Sequence, residues 1–346
     1  MQPGRTIAAA LAAAFLFGAS TPAAKTLAGE LSPFLLAGLL YAGSGIGLGA
    51  WMALRRFPRV PLMPAADLPW FAAAVLCGGV IGPALLMHGL SRTAASTVAL
   101  LLNLEGVLTA LLAWFVFREN FDRRIALGMA LIVAGGLLLS AGPGALGGFD
   151  PGAIFVAGAC FAWAVDNNFT RKVSGGDAVM IAAIKGTVAA AVNLSIAVLA
   201  GAAWPTASHV LAAGLIGFLG YGVSLALFVV ALRELGAART GAYFSTAPFI
   251  GVALAFVALR ETPGTLFWAA AALMGAGVWL HVSERHEHGH VHEPLEHAHV
   301  HVHDEHHRHA HAFDWDGKEP HSHLHRHERT VHSHPHYPDL HHSHRH

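Results

Sequence analysis

The sequence predicts an all-α integral membrane protein, with ten transmembrane helices arranged as two inverted five-helix repeats and a disordered, histidine-rich C-terminal tail. Three observations lead there. The 346 residues are 54% hydrophobic and only 12% charged, with a mean hydropathy of +0.51, which is the composition of a polytopic membrane chain. The apolar body is written twice at an offset of 142 residues, so that Leu112-Ala113, Arg118-Glu119, Ala130-Leu131 and Ala134-Gly135 are answered by Leu254-Ala255, Arg260-Glu261, Ala272-Leu273 and Ala276-Gly277. Each copy holds an odd number of apolar stretches, so the two copies must face opposite ways across a bilayer.

The stretches run near 6–26, 31–54, 67–89, 93–117, 123–141, 152–171, 177–200, 209–232, 236–259 and 263–283. Most reach the roughly 20 residues a helix needs to cross about 30 Å of hydrocarbon. The first stretch also fits a secretory signal, with Arg5 before an apolar run and Ala19-Ser20-Thr21 as small residues for cleavage. Against that, Phe15-Leu16-Phe17 leading to Lys25 is matched by Phe161-Ala162-Trp163 leading to Arg171-Lys172, which makes the opening helix a member of the repeat. In the second stretch Gly43, Gly45, Gly47 and Gly49 let helices approach closely where water supplies no hydrophobic drive. The fifth stretch is the tightest fit. Cys77 and Cys160 fall inside spans as small buried hydrophobes, with no disulfide framework in view.

Orientation follows from Lys and Arg in the short breaks. An inside amino terminus puts Arg5, Arg55, Arg56, Arg59, Arg118, Arg123, Arg124, Arg171, Lys172, Arg233 and Arg239 on the cytoplasmic side, against Lys25, Arg92 and Arg260 outside. Both termini are therefore expected in the cytoplasm, with the chain multi-pass in the inner (plasma) membrane.

From Ala95 through Leu139, and again from Ala237 through Leu280, an apolar helix ends in Arg-Glu and the next carries small residues closing on Ala-Gly. On these residues the chain resembles the EamA-type transporters of the drug/metabolite transporter superfamily, with one repeat over 6–141, a second over 152–283 and the tail from 284 to 346. The resemblance covers about 280 residues. One half keeps the family's helix-breaking proline, at Ala247-Pro248-Phe249, whereas the first half has Gly106 there, preceded by Glu105. What the resemblance implies is proton-coupled or passive movement of small solutes, often export, without ATP. Independently, the chain has no G-x-x-x-x-G-K-[ST] phosphate loop, and no H-E-x-x-H or G-x-S-x-G signature of an enzyme.

An ionisable side chain at bilayer depth costs about 2.5–3.5 kcal/mol or more, so each one is a candidate for function. Glu105, two residues after Asn103 in the fourth span, can carry a proton or neutralise a cationic solute. Its structural alternative is a pair with Lys185 or a hydrogen bond to Asn103. Asp166, Asn167 and Asn168 in the sixth span either line a solute path or form a polar seam between helices. Lys185 in the seventh either meets an anionic solute or closes an ion pair with Asp166 or Glu105. His88 and Lys25 lie near span ends and can reach the interface. Glu119 and Glu261, the repeated acids, are expected to anchor helix ends with Arg118 and Arg260.

From His281 onward 24 of 66 residues are histidine, whereas the preceding 280 hold only His88 and His209. Too few apolar residues remain to bury a core, so the tail is expected to be disordered when free of metal. Its metal-ligating candidates alternate along the chain: His297, His299, His301 and His303, then His306, His307, His309 and His311, then His321, His323, His325 and His327, and finally His332, His334 and His336. Neutral imidazole suits zinc, nickel, cobalt and copper, with Asp304 and Glu305 as further oxygen ligands. The interspersed spacing differs from the unbroken run of a purification tag.

The expected function is a secondary transporter working by alternating access between the repeats, an exporter of a small solute. Its tail binds divalent transition metal as regulator or buffer, and transport itself needs no cofactor. Two alternatives stand beside it. In one the cargo is the metal ion or a metal complex, against which no two histidines or Cys-His pair occur at helical spacing within the spans. In the other the chain is a membrane-anchored metal store or sensor. The expected partners are membrane lipid, a small-molecule solute and transition-metal ions, with no nucleic acid and homodimerisation left open.

Overall fold

The computed structural model describes residues 3–54, 68–117, 123–141, 149–173, 178–228, 230–231, 240, 243–283, 287–292, 295–301, 321–327 and 330–335. The chain divides into a body, Met1–Glu284, and a tail unit, Arg285–His346.

In the body the described helices fall into ten rods that match the ten apolar stretches one for one. They are α1 (Pro3–Ala28), α2 (Pro33–Leu54), α3 (Leu68–Arg92), α4 (Ala95–Leu101 and Asn103–Phe117), α5 (Arg123–Ser140), α6 (Pro151–Val173), α7 (Ala178–Leu199), α8 (Ala207–Phe228), α9 (Ala247–Leu259) and α10 (Thr265–Val282). Among the described residues seven of these are long and apolar enough to cross a membrane, while α9 and α10 are shorter apolar helices. Residues 55–67, 118–122, 174–177 and 232–239 lie outside the described residues, and with them Arg55, Arg56, Arg59, Arg118, Glu119, Arg233, Arg239 and the start of the expected ninth span.

Local chemistry sets the helix ends. Pro33 opens α2 and Pro151 opens α6, at first-turn positions whose N–H would have no partner in any case. Asp150 caps α6, its Oδ1 accepting from the Gly152 N–H at 2.9 Å, and its Oδ2 also accepts from Thr93 Oγ1 at 3.1 Å. Thr206 caps α8. Glu261 departs from the expected pairing with Arg260. Its carboxylate accepts the N–H groups of Ala95 and Ser96 at 2.7 and 2.9 Å, so an acid of the second repeat caps α4 of the first, where the positive end of the helix dipole and two orphan donors attract it. Arg260 adopts the left-handed conformation at the end of α9. Lys25 also binds across helices, donating to the carbonyls of Leu90 (2.5 Å) and Thr93 (2.9 Å) at the end of α3.

Packing repeats as the sequence does. Helix α2 packs on α7 and α5 on α10, each against its own equivalent. The contact of α3 with α6 is matched by α8 with α1, that of α4 with α6 by α9 with α1, and that of α2 with α8 by α7 with α3. This is the pattern of a pseudo-two-fold axis, and five helices per copy put the repeats in opposite orientations. Leu35, Leu36, Leu40, Leu90, Val98, Leu100 and Leu101 fill the interior. Phe15, Ile46, Leu76, Phe115, Leu137, Leu215 and Val257 stand exposed outside, and Trp51, Trp70, Trp204, Trp268 and Trp279 stand exposed near helix ends. That is a lipid-facing surface with interfacial tryptophans.

In the tail two antiparallel ladders are described: Glu287–His292 (β1) with Thr330–Pro335 (β4), and Leu295–His301 (β2) with His321–His327 (β3). Alternation with period two is a strand pattern, which accounts for regular pairing in a segment expected to have none. A two-stranded ladder is marginal in water by itself, so pairing here and the shortage of apolar residues for a core are compatible.

Candidate functional site

Four irregularities mark the middle of the body, in equivalent pairs. Helix α4 breaks at Leu102, and its equivalent breaks at Ser245-Thr246, just before α9. Helix α3 widens into a π-helical stretch at Val75–Ile81, and its equivalent α8 does so at Phe218–Val223. Broken helices inside a membrane are tolerated only where protein or a cavity satisfies their backbone.

In α3 Pro83 follows the π-helical stretch and, lacking an N–H, leaves one carbonyl there without its backbone donor, Gly79 in an α-helical register or Gly78 in a π-helical one. Three side chains donate to these two carbonyls. Gly78 O accepts from Tyr41 Oη and from Trp163 Nε1, each at 3.0 Å, and Gly79 O accepts from Asn193 Nδ2 at 2.7 Å. At the α4 break Asn103 Nδ2 donates back to Leu100 O at 2.8 Å, and the Cys160 thiol faces Leu101 O at 3.7 Å.

The polar cluster is assembled beside these breaks. Lys185 on α7 meets both carboxylate oxygens of Asp166 on α6 at 2.6 Å. Thr170, one turn along α6, donates to Asp166 Oδ1 at 2.8 Å. Asn167 donates to Glu105 Oε1 at 2.9 Å and to Thr109 Oγ1 at 3.3 Å, and Asn168 donates to the carbonyls of Ala164 and Thr109 at 2.8 and 3.3 Å. Gly78 leaves the space for this cluster, since a Cβ there would overlap the Asp166 carboxylate.

The structure therefore brings Glu105, Asp166, Asn167, Asn168 and Lys185 together on α4, α6 and α7, while Asn103 serves its own helix break. Lys185 is partnered by Asp166, and among the described residues Glu105 has no ion pair. The cluster is one-sided. Aligning Phe17 with Trp163 puts Ser20 and Thr21 where the second repeat has Asp166 and Asn167. The facing region is aromatic, with Tyr41 stacked on Tyr221 at 5.8 Å and Phe17 against Tyr221 and Phe244 at 6.1 and 5.4 Å. Between α1, α4 and α9 lies a narrow crevice lined by Phe17, Thr21, Ala99, Leu102 and Pro248, too tight to admit a solute.

Thr109, Thr170, Tyr41, Trp163 and Asn193 belong to this arrangement but were not singled out from the sequence. Two signals pointed to them. Thr109 and Thr170 each follow an acid by four residues, hence share its helix face, and a proline four residues after a glycine in a span demands outside donors. His88 lies apart, its Nδ1 2.8 Å from Ala84 O and its ring against Phe34 and Phe155.

Among the described residues no three His, Cys, Asp or Glu side chains converge on a metal-sized site. Of the tail candidates, His297, His299, His301, His321, His323, His325, His327, His332 and His334 lie on described strands. His303, His306, His307, His309, His311 and His336 lie outside the described residues.

Known proteins agree with this architecture. An archaeal protein named as an uncharacterized transporter, from Methanothermobacter thermautotrophicus, is 29% identical over 215 residues, covering 59% of this chain and 62% of its own length. The Escherichia coli K12 protein named as the uncharacterized inner membrane transporter YedA is 24% identical over 254 residues, covering 70% of this chain and 79% of its own. A solved crystal structure of a protein at 21% identity superposes with a TM-score of 0.58 over 80% of this chain and 96% of its own, a likeness of fold. The EamA-like transporter family description matches residues 4–141 and 150–283, one match per repeat. With both five-helix repeats matched and the two-fold packing between them, this chain belongs to the EamA-like transporter family of the drug/metabolite transporter superfamily.

Proposed function

We propose that this membrane transporter is a secondary carrier that exports a small organic solute by alternating access, with Glu105 as the group that takes up a proton or neutralises the solute. The observation that carries the reading is the division of labour between two carboxylates at bilayer depth. Asp166 is neutralised by Lys185 at 2.6 Å. Glu105 has a neutral donor, Asn167, and no cationic partner among the described residues. A carboxylate left uncompensated there must either hold a proton or face a cation, and either event can be tied to a conformational change.

Alternating access requires the two halves to part around the solute path. The paired irregularities in α3 and α8, and in α4 and its counterpart, give each repeat places to bend without breaking a regular helix ladder. The distribution of Lys and Arg supports cytoplasmic termini, and the family resemblance supports export from the inner membrane.

The tail is read as binding a divalent transition metal, zinc, nickel, cobalt or copper, as regulator or buffer of the carrier. The test compares cells producing the full chain, a chain ending at Ser283 and Glu105→Gln, measuring cell zinc and nickel together with proton flux in vesicles offered mixed amines and amino acids. The reading expects metal content to follow the tail alone and solute-dependent proton flux to vanish in Glu105→Gln. If Glu105→Gln instead abolishes the change in metal content, the body moves the metal itself. Loss of every activity on removing the tail would make the protein a metal store or sensor.

A further inference from the structure

Helix α4 takes part in two packing groups at once. Its second segment, Asn103–Phe117, packs on α6 and α5, whereas its first, Ala95–Leu101, packs chiefly on α9 and α1. The two segments meet at the break at Leu102, where a tight turn carries the Glu105 N–H to Leu102 O at 3.1 Å. The start of the first segment is held by side chains from the group it leans on. Glu261, two residues past the end of α9 at Leu259, accepts the N–H groups of Ala95 and Ser96 at 2.7 and 2.9 Å, one on each carboxylate oxygen. Lys25 of α1 donates to the carbonyls of Leu90 and Thr93 in the turn just before the segment. A negative charge thus meets the positive end of α4 and a positive charge the negative end of α3, so the α3–α4 turn is gripped from both sides.

We propose that Ala95–Leu101 is a lid over one face of the carrier, hinged at Leu102 and latched shut by Glu261 and Lys25. The inference rests on the alternating-access reading and deepens it, because it names the element that opens and the groups that release it. The face concerned is the one where α1, α3 and α9 end, which is the outer face when the termini are cytoplasmic. The neighbouring contacts show why this segment moves and its surroundings stay. A Cβ on Gly18 of α1 would overlap the Ala247 carbonyl of α9, and one on Gly89 of α3 would press on the Gly152 carbonyl of α6. Backbone lies directly on backbone there, so α1 with α9 and α3 with α6 move as rigid pairs.

The start of the lid is held differently, by side chains gripping backbone groups that water can take over once the face opens. Letting go therefore costs the difference between a charge-assisted bond and a hydrated one, not the whole bond. Position along α4 links the latch to the proposed chemistry. Glu105 stands three residues beyond Leu102, so proton or solute acts on one side of the hinge and the latch on the other.

The experiment uses the full chain in sealed membrane vesicles with Cys77→Ser, Cys160→Ser and Thr21→Cys, which leaves one thiol beneath the lid. Thr21 is 4% exposed and stands with Ala99 and Leu102 where α1, α4 and α9 meet. A membrane-impermeant maleimide is added at the lid face, and its labelling rate is compared among this parent, Glu261→Gln, Lys25→Met and the control Glu30→Gln. Glu30 pairs with His209 at the same face without touching the lid. The expected result is slow labelling of the parent, a rise of about 10-fold in Glu261→Gln and Lys25→Met, as for the loss of a charge at a helix end, and no change in the control. A parent that labels as fast as the latch variants, or a control that rises with them, overturns the lid. A second chain, with Ser96→Cys and Glu261→Cys in the Cys77→Ser, Cys160→Ser background, is joined by a reducible bifunctional thiol reagent. Cross-linking should stop solute-dependent proton flux and reductant should restore it, a recovery that a misfolded chain would not show. Flux through the fully cross-linked chain overturns the lid, whereas labelling that follows the latch in chains carrying no flux leaves the lid standing and removes the carrier reading.

Discussion

Replacing Lys185 by methionine should destabilise the body more than any other single charge removal inside the membrane. The Nζ atom is the only cationic partner of Asp166 among the described residues, 2.6 Å from both oxygens. With it gone, the carboxylate keeps the Thr170 hydroxyl and little else. Breaking a buried ion pair by removing one member costs about 3–5 kcal/mol, because it strands the other charge. The pair is well enclosed but not sealed, with side-chain exposures of 17% for Lys185 and 9% for Asp166, so the lower end, about 3 kcal/mol, applies. At about 2–4 °C per kcal/mol for 150–250 residues and less for a longer chain, the melting midpoint falls by about 6 °C. The assay is the fraction of monodisperse protein surviving a heating series in detergent. The decisive comparison is with Asp166→Asn combined with Lys185→Met, which removes both charges and retains the Thr170 contact. That double variant should recover most of the loss, since a buried pair replaced as a unit is close to neutral. If Lys185→Met melts within about 2 °C of the parent, or the double variant loses the sum of the two single losses, the pair is not what holds α6 to α7.

Further outcomes follow from the same contacts. Glu105→Gln keeps an acceptor for Asn167, so it should melt within a few degrees of the parent while losing solute-dependent proton flux, and a large drop in stability would make Glu105 a structural acid. Glu261→Ala removes the acceptor of two helix N-terminal donors and should cost about 1–2 kcal/mol, seen as a lower melting midpoint. At the α2–α8 crossing a Cβ on Gly217 would overlap the Leu40 carbonyl and one on Gly43 the Gly214 carbonyl. Gly217→Val should therefore force the helices apart at about 1–3 kcal/mol and reduce yield in the membrane. Zn2+ retained by the tail at pH 7.5 should be largely released near pH 5.5, because imidazoles titrating around 6.5 cannot ligate once protonated. Equilibrium dialysis at the two pH values checks this.

Much of the body was legible in the sequence because the signals are local or periodic. Runs of about twenty apolar residues define spans wherever they occur, and the 142-residue offset exposes the repeat without any contact being known. The acids and amides of the cluster were legible too, since polar residues inside apolar runs stand out. Partner choice was not. The sequence left Lys185 between Asp166 and Glu105, left Asn103 as a partner for Glu105, and set Glu261 beside Arg260. Helix rotation and depth decide among such options, and these depend on how α4, α6 and α7 pack. Only the fold shows that Lys185 reaches Asp166, that Asn103 serves the α4 break, that Glu261 crosses to cap α4, and that Tyr41, Trp163 and Asn193 converge on the carbonyls of Gly78 and Gly79 beside Pro83. In the tail, expected to be disordered when free of metal, neither the strands nor their pairing was read from the sequence, and a repetitive pattern has many registers. The hydrophobic effect acts on composition and can be read along the chain, whereas hydrogen bonds and ion pairs are directional and short, so their assignment waits for the geometry that brings distant residues within 3 Å.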